Sequence, residues 1–408
     1  MNTVTDTLQK KLNPRYGWYI IILGALTHMV VSAMARTCMP VLFPEILDSL
    51  GLDMAQIGLV WGFLPLGGII VALPGGLLGD RFGIKRVLII AAILCGIAGA
   101  LRGVSGSFTV LAVTTFIFGT VVAVIPINVH KLANTWVPKG RVGLANGILA
   151  VGMALGFVIG TLISARWLSP ALGGWNGVFY LYGAMSVAIG MWWLFTRAAP
   201  KATSVISFRE SFSKVIRMKK VWLLGLVLLG QAGCVEALLG YLPTYLEKYR
   251  GWAAGTGGDP VFAFHLISTV FTVPMAVLSD KIGSRKKVLL PALALTSIGT
   301  GLLAIPNDTL IWALMLIAGI TRDGFMAVFI TFTVETEGIG LKYAATALGA
   351  IFTLERFGLF ILPSIGGFIA QYVSLELPFV LWATLAAMGF MVLYFLKESR
   401  KVQVPEFV

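Results

Sequence analysis

Six charged side chains stand inside stretches of sequence that are otherwise apolar: Arg36, Glu236, the neighbours Arg322 and Asp323, and the neighbours Glu355 and Arg356. An ionised group at the centre of a membrane helix costs about 2.5–3.5 kcal/mol on insertion scales, so each of these calls for a partner or a task. An arginine there can take an anion through its planar fork of donors, and a carboxylate can carry a proton. Three bases face three acids, so the set is formally neutral. Protonating one acid would expose a positive charge, which is one way to couple an anion to a proton, although neutrality equally suits a zwitterion. At about 1.5 Å per residue, Arg322 lies roughly 16 Å from the base-rich end of its stretch and Glu355 roughly 18 Å from the same side. The two pairs therefore share a depth. Adjacent helical residues point about 100° apart, so one member of each pair is expected to face a neighbouring helix and the other a cavity. A purely structural ion-pair network is the competing reading.

Histidine adds one further candidate. His28 lies near the middle of its apolar stretch, while His265 and His130 lie nearer the ends of theirs, and for all three a satisfied interface residue is favoured over a proton relay. Asn128, Gln231 and Tyr241 offer neutral hydrogen-bonding groups. No phosphate-binding loop, metal cluster or nucleophile with a base is present in the spacing, so nothing supports an ATPase or a hydrolase, and no cofactor is called for. Cys38, Cys95 and Cys234 are scattered and form neither a disulfide framework nor a zinc pattern.

The elements that must hold these side chains are membrane helices. Of 408 residues, 58% are hydrophobic and only 12% charged, with a mean hydropathy of +0.90; soluble domains carry roughly 25% charged residues. Each crossing needs about 20 apolar residues. Such runs fall near 17–44, 55–78, 87–105, 108–130, 142–165 and 175–196, and again near 221–246, 260–279, 288–305, 309–333, 343–371 and 375–396. Between the two sets, 197–220 carries seven bases and reads as a connection in which Phe208, Phe212, Val215 and Ile216 share one face of a short surface helix. The expected division is therefore 1–196, 197–220 and 221–408.

The chain has 31 Lys and Arg against 18 Asp and Glu. About 24 of these bases lie on one side of the membrane and about four, Arg102, Arg166, Lys248 and Arg250, on the other, which is the asymmetry that insertion requires and which places both termini in the cytosol. Nucleic acid is not an expected partner. The tail 1–15 runs into the first span without a small-residue cleavage site, so a removed signal peptide is not expected. Asn307-Asp308-Thr309 matches a glycosylation triplet by chance beside the membrane. Gly152, Gly156 and Gly160 recur every four residues, a pattern that lets a second helix approach closely.

One polar interruption occurs twice. Gly76-Leu-Leu-Gly-Asp80-Arg81-Phe-Gly83-Ile-Lys-Arg86 links the second and third spans, and about two hundred residues later Asp280-Lys281-Ile-Gly283-Ser-Arg285 links the eighth and ninth. Each acid falls where a helix ends, a position at which the dipole disfavours a carboxylate without a partner, and each glycine allows a tight reversal. The repeated loop, set between two sets of six spans, resembles the signature of the major facilitator superfamily. The resemblance covers nearly the whole chain. It implies an all-α membrane protein of twelve transmembrane helices in two pseudo-symmetric six-helix halves, moving a solute by alternating access, with spans one, four, seven and ten lining the cavity. It also implies that Asp80 latches near 342–346 and Asp280 near 141–146. Proton-linked drug antiporters of the superfamily carry a glycine-proline pair in the fifth span and an arginine in the fourth. Here Phe157 follows Gly156, and Thr114, Thr115 and Phe116 precede Gly119. These departures count against a drug exporter. The expected solute is a small organic anion such as a monocarboxylate, with protons as coupling partner and a prokaryotic cytoplasmic membrane as the location. Export of amphipathic compounds, or a receptor on the same scaffold, are the alternatives.

Overall fold

The computed structural model describes residues 14–72, 74–198, 213–305 and 307–398. They form twelve long helices, with no strand among them. Helix α1 covers 14–50 and consists of an α-helical Pro14–Thr27, a π-helical His28–Met34 and an α-helical Ala35–Leu50. Helix α2 is Met54–Ala72, continued by Pro74–Phe82. Then come α3 (Ile84–Gly103), α4 (Phe108–Trp136), α5 (Val142–Ala171) and α6 (Trp175–Leu194). The second set is α7 (Lys219–Tyr249), α8 (Asp259–Ile282), α9 (Lys286–Leu302), α10 (Asp308–Glu335), α11 (Gly340–Tyr372) and α12 (Leu377–Phe395). Eleven are long and apolar enough to cross a membrane; α9, at 17 residues, is the shortest.

Local chemistry sets several boundaries. Asp53 and Gln56 make a reciprocal capping box at the start of α2: the Gln56 N–H donates to Asp53 Oδ1 at 2.8 Å and the Asp53 N–H to Gln56 Oε1 at 3.1 Å. Asn307 caps α10 by accepting from the Leu310 N–H at 3.0 Å. The two repeated loops turn on glycines in the left-handed region, Gly83 at φ 88° and Gly283 at φ 70°.

The described chain divides into two compact units, one holding the residues up to 205 with 242–262, the other holding 206–241 with the residues from 263 on. The expected boundary lay between 196 and 221; in this division 242–262, which holds the last turns of α7, the following loop and the start of α8, goes with the first unit. Of the proposed surface helix, Phe208 and Phe212 lie outside the described residues. Val215 is fully buried in the core of the second unit beside Val221 and Leu224, and Ile216 is exposed.

Within the first unit α1 packs on α5, α2 on α4 and α3 on α6; within the second α9 packs on α12 and α10. The glycine series in α5 is a backbone contact. A methyl group at Gly152 would lie 2.4 Å from the Ala25 carbonyl oxygen, one at Gly156 2.4 Å from that of Met29, and one at Gly160 2.6 Å from Thr37 Oγ1. The second unit repeats this between α11 and α7, where a methyl group at Gly358 would lie 2.4 Å from the Leu229 oxygen. Gly156→Val is accordingly expected to cost about 1–3 kcal/mol by overpacking. Gly147→Ala, with open space around it, should be neutral or stabilising by up to about 1 kcal/mol. Melting of the two detergent-solubilised variants checks both.

Candidate functional site

In the second unit four of the in-span charges lie at the middle of α10 and of α11. Arg322 Nη1 donates to Asp323 Oδ1 at 2.6 Å, and the side chains are exposed to a similar degree, 27% and 29%. The neighbours thus turn towards each other instead of diverging to a helix interface and a cavity. A guanidinium carries five N–H donors in a fixed fork, and this bond uses one of them. The Asp323 N–H donates to Ser268 Oγ at 3.2 Å, which ties α10 to α8 at the level of the pair. Just before them Thr321 exchanges a hydrogen bond with Thr296 of α9 at 3.2 Å, and Thr296 accepts from Gln231 Nε2 of α7 at 3.1 Å. This buried chain fixes three helices in register beneath the ion pair. Glu355 and Arg356 are half-buried at the middle of α11, and Glu236 is buried in α7.

In the first unit Arg36 is half-buried on α1 with its guanidinium 5.8 Å from the ring centre of Trp61. His28 occupies the first position of the π-helical turn in α1 and is fully buried. Its Nδ1 lies 3.3 Å from the Leu149 carbonyl oxygen of α5, its ring 5.2 Å from that of His130 on α4, and its Nε2 finds no partner among the described residues. His130 is exposed and its Nδ1 lies 2.9 Å from Asn146 Oδ1. Wide turns of this kind occur often at functional positions in helices. Asn128 Nδ2 donates to the Gly75 oxygen at 3.0 Å, holding the second part of α2. Tyr241 donates to the Leu375 oxygen at 2.8 Å.

The sequence placed Arg102 among outer-loop bases, and the structure corrects this. It is wholly buried at the end of α3, with its guanidinium 3.9 Å from the ring centre of Phe118 and 4.5 Å from that of Phe179. Nη2 also donates to the Ala35 oxygen at 2.8 Å. One cation so joins α3, α4, α6 and α1. A lone arginine in the last turn of an apolar stretch was the only signal, and it reads equally as a loop residue.

The repeated loops differ in how they are neutralised. Arg285 is held by Glu335, through bonds of 3.2 and 3.0 Å, and by Asp280. These acids, Glu335 foremost, hold its guanidinium well above the ordinary arginine range. The Glu398 carboxylate accepts from Ser284 Oγ at 2.7 Å and from the Lys286 N–H at 3.2 Å. Lys281 is exposed. In the first loop Arg81 is exposed over the Phe82 ring and Arg86 is exposed; the surroundings of Gly76 and the side chains of Asp80 and Lys342 lie outside those described, so the expected latch near 342–346 does too. Both loops share one further device. Lys85 Nζ donates to the Leu194 and Thr196 oxygens at the end of α6, and Lys286 Nζ to the Tyr394 and Leu396 oxygens at the end of α12. Each lysine caps a helix C-terminus, where a cation is favoured.

The family model described as Major Facilitator Superfamily matches residues 25–268 and 251–407. The probable sulfoacetate transporter SauU of Cupriavidus necator is 25% identical over an alignment of 439 positions that covers 95% of each chain. The cis,cis-muconate transport protein of Acinetobacter baylyi is 24% identical over 403 positions, covering 94% of this chain and 95% of its own. Among solved structures, a bacterial homologue of the human lysosomal transporter Spinster, inward-facing and unoccupied, matches with a TM-score of 0.78 at 17% identity over 93% of this chain and 96% of that one. That likeness concerns the fold.

Proposed function

Because this chain belongs to the Major Facilitator Superfamily, and is thus an integral membrane transporter and not an enzyme, we propose that it carries a small organic anion together with a proton. The observation that carries the reading is the half-exposed Arg322–Asp323 pair at the middle of α10. With Asp323 ionised the pair neutralises itself. A proton on Asp323 weakens that bond and removes the carboxylate charge facing the guanidinium, and an acid group of the solute supplies an anion in its place. Proton and anion together restore neutrality, so the loaded site crosses without a net charge in the apolar interior. Arg36, Arg356, Glu236, Glu355 and His28 remain as further polar contacts along the path. Support for the class of solute comes from two relatives of full length whose names give sulfoacetate and cis,cis-muconate, both small organic acids. The six-helix halves, 1–196 and 221–408, are the moving bodies, 197–220 joins them, and the base-rich loops and both termini face the cytosol of a bacterial cell.

Uptake into proteoliposomes tests this. Labelled mono- and dicarboxylates and sulfonates are offered with and without an inward proton gradient. Accumulation of at least one acid above equilibrium, dependent on the gradient and absent from empty vesicles, is the expected result. Gradient-driven movement of neutral or cationic solutes alone would overturn it.

A further inference from the structure

Between α2, α3 and α4, on the side of the base-rich loops, lies an open groove of about 380 Å³ whose accessible lining is entirely apolar. Phe82, Ile90, Leu94 and Val121 line its length and Arg86 stands at its end. Ile90 and Leu94 are each about half exposed, 57% and 45%. From Arg86 to Leu94 the helix rises about 12 Å. The groove is therefore a strip running into the membrane from a cation at its surface.

The two repeated loops explain why that cation is significant. In the second loop the protein supplies its own anions: Glu335 from the end of α10 grips Arg285, and Glu398 beyond α12 accepts from the loop. Two hundred residues earlier, the separation of Asp80 from Asp280, the corresponding positions are Thr135 (335 − 200) and Ala198 (398 − 200). Neither carries a charge; the third acid on Arg285, Asp280, has its counterpart in Asp80, whose side chain lies outside those described. Lys85 is engaged by the carbonyls ending α6, and Arg81 lies over Phe82. Arg86 has no carboxylate partner among the described residues, although it sits at the head of a greasy channel. An anionic group outside the protein would complete in this loop what Glu335 and Glu398 complete in the other.

We propose that this groove is a binding site for an anionic phospholipid of the leaflet beside the base-rich loops, with one acyl chain along α3 between α2 and α4 and the phosphate on Arg86. A free phosphate would meet Arg86 but leave the apolar strip bare; a zwitterionic lipid would fill the strip but bring its own cation to Arg86. Charge and shape together select a lipid with a net negative headgroup.

The full-length protein, purified in detergent, is titrated with dioleoyl phosphatidylglycerol, dioleoyl phosphatidylcholine or glycerol 3-phosphate, and retained ligand is read by native mass spectrometry. Phosphatidylglycerol is expected to be retained at least tenfold more tightly than phosphatidylcholine, and glycerol 3-phosphate should not displace it at equal concentration. Arg86→Gln is expected to weaken retention about tenfold. Leu94→Trp, which keeps every charge and fills the groove at an already exposed position, should weaken it to a similar extent. Lys287→Gln removes an exposed base next to the other loop's Lys286 and should change nothing. Equal retention of both lipids, displacement by glycerol 3-phosphate alone, unaltered binding in Leu94→Trp, or an equal loss in Lys287→Gln would each overturn the site.

Discussion

Arg322→Gln is expected to weaken binding of an organic anion by roughly 10- to 150-fold, the equivalent of about 1.5–3 kcal/mol for a charge-assisted hydrogen bond, while the helices stay inserted. Removing the cation leaves Asp323 as an uncompensated carboxylate at the middle of α10, so the site repels an anion as well as failing to bind it. Asp323→Asn should do something different. It keeps the guanidinium and abolishes the proton-dependent neutralisation, so exchange of solute for solute persists and accumulation driven by a pH gradient is lost. Binding by calorimetry and two vesicle assays, exchange and gradient-driven uptake, separate these phenotypes. An Arg322→Gln protein that binds with unchanged affinity would remove the central role given to the pair. Loss of folding in both variants would make the pair a structural clasp.

Arg102→Ala is expected to be strongly destabilising, by about 2–5 kcal/mol from the cavity alone. It also removes the cation–aromatic contacts to Phe118 and Phe179, worth about 2 kcal/mol when desolvated, and the guanidinium's donation to the Ala35 oxygen. Arg102→Met refills the space with an adaptable apolar chain and should recover much of the loss. Arg102→Lys keeps the charge but cannot lie flat between two rings, so it should resemble alanine more than methionine. Thermal unfolding in detergent ranks the three. Should lysine prove equal to the parent, the buried charge would matter and its planar shape would not.

The twelve spans were legible in sequence because a membrane imposes a length and a polarity that no soluble core demands, and their limits in the structure differ from the reading by a few residues at most helix ends. The turns at Gly83 and Gly283 were legible for a related reason, since a tight reversal beside a charged cluster calls for a residue without a side chain. The glycines of α5 announced a close crossing through their spacing, which the contacts with Ala25, Met29 and Thr37 bear out.

What could not be read was which distant residue answers each charge. Glu335 and Glu398 reach Arg285 and its loop from the ends of α10 and α12, and nothing in either local sequence marks them as partners. The mutual bond of Arg322 and Asp323 depends on rotamers, which adjacency does not fix. Arg102 was misplaced because a base in the last turn of a span looks the same whether it leans outwards or is enclosed by rings from two other helices. The assignment of 242–262 to the first unit was hidden as well, since these residues end one helix and begin another whose remainders belong to the second.

The three thiols have a practical meaning for anyone who wants to watch this protein move. Cys38, Cys95 and Cys234 are unpaired and sealed inside the helix packing, each no more than 1% exposed, and Cys38 and Cys234 direct their sulfur towards the Ala35 oxygen and Thr300 Oγ1. In this arrangement the thiols are closed to water-borne maleimides. A reporter cysteine introduced on any loop can then be tagged with a fluorophore or spin label in the native background, without first stripping the natural cysteines and disturbing the interior that holds them.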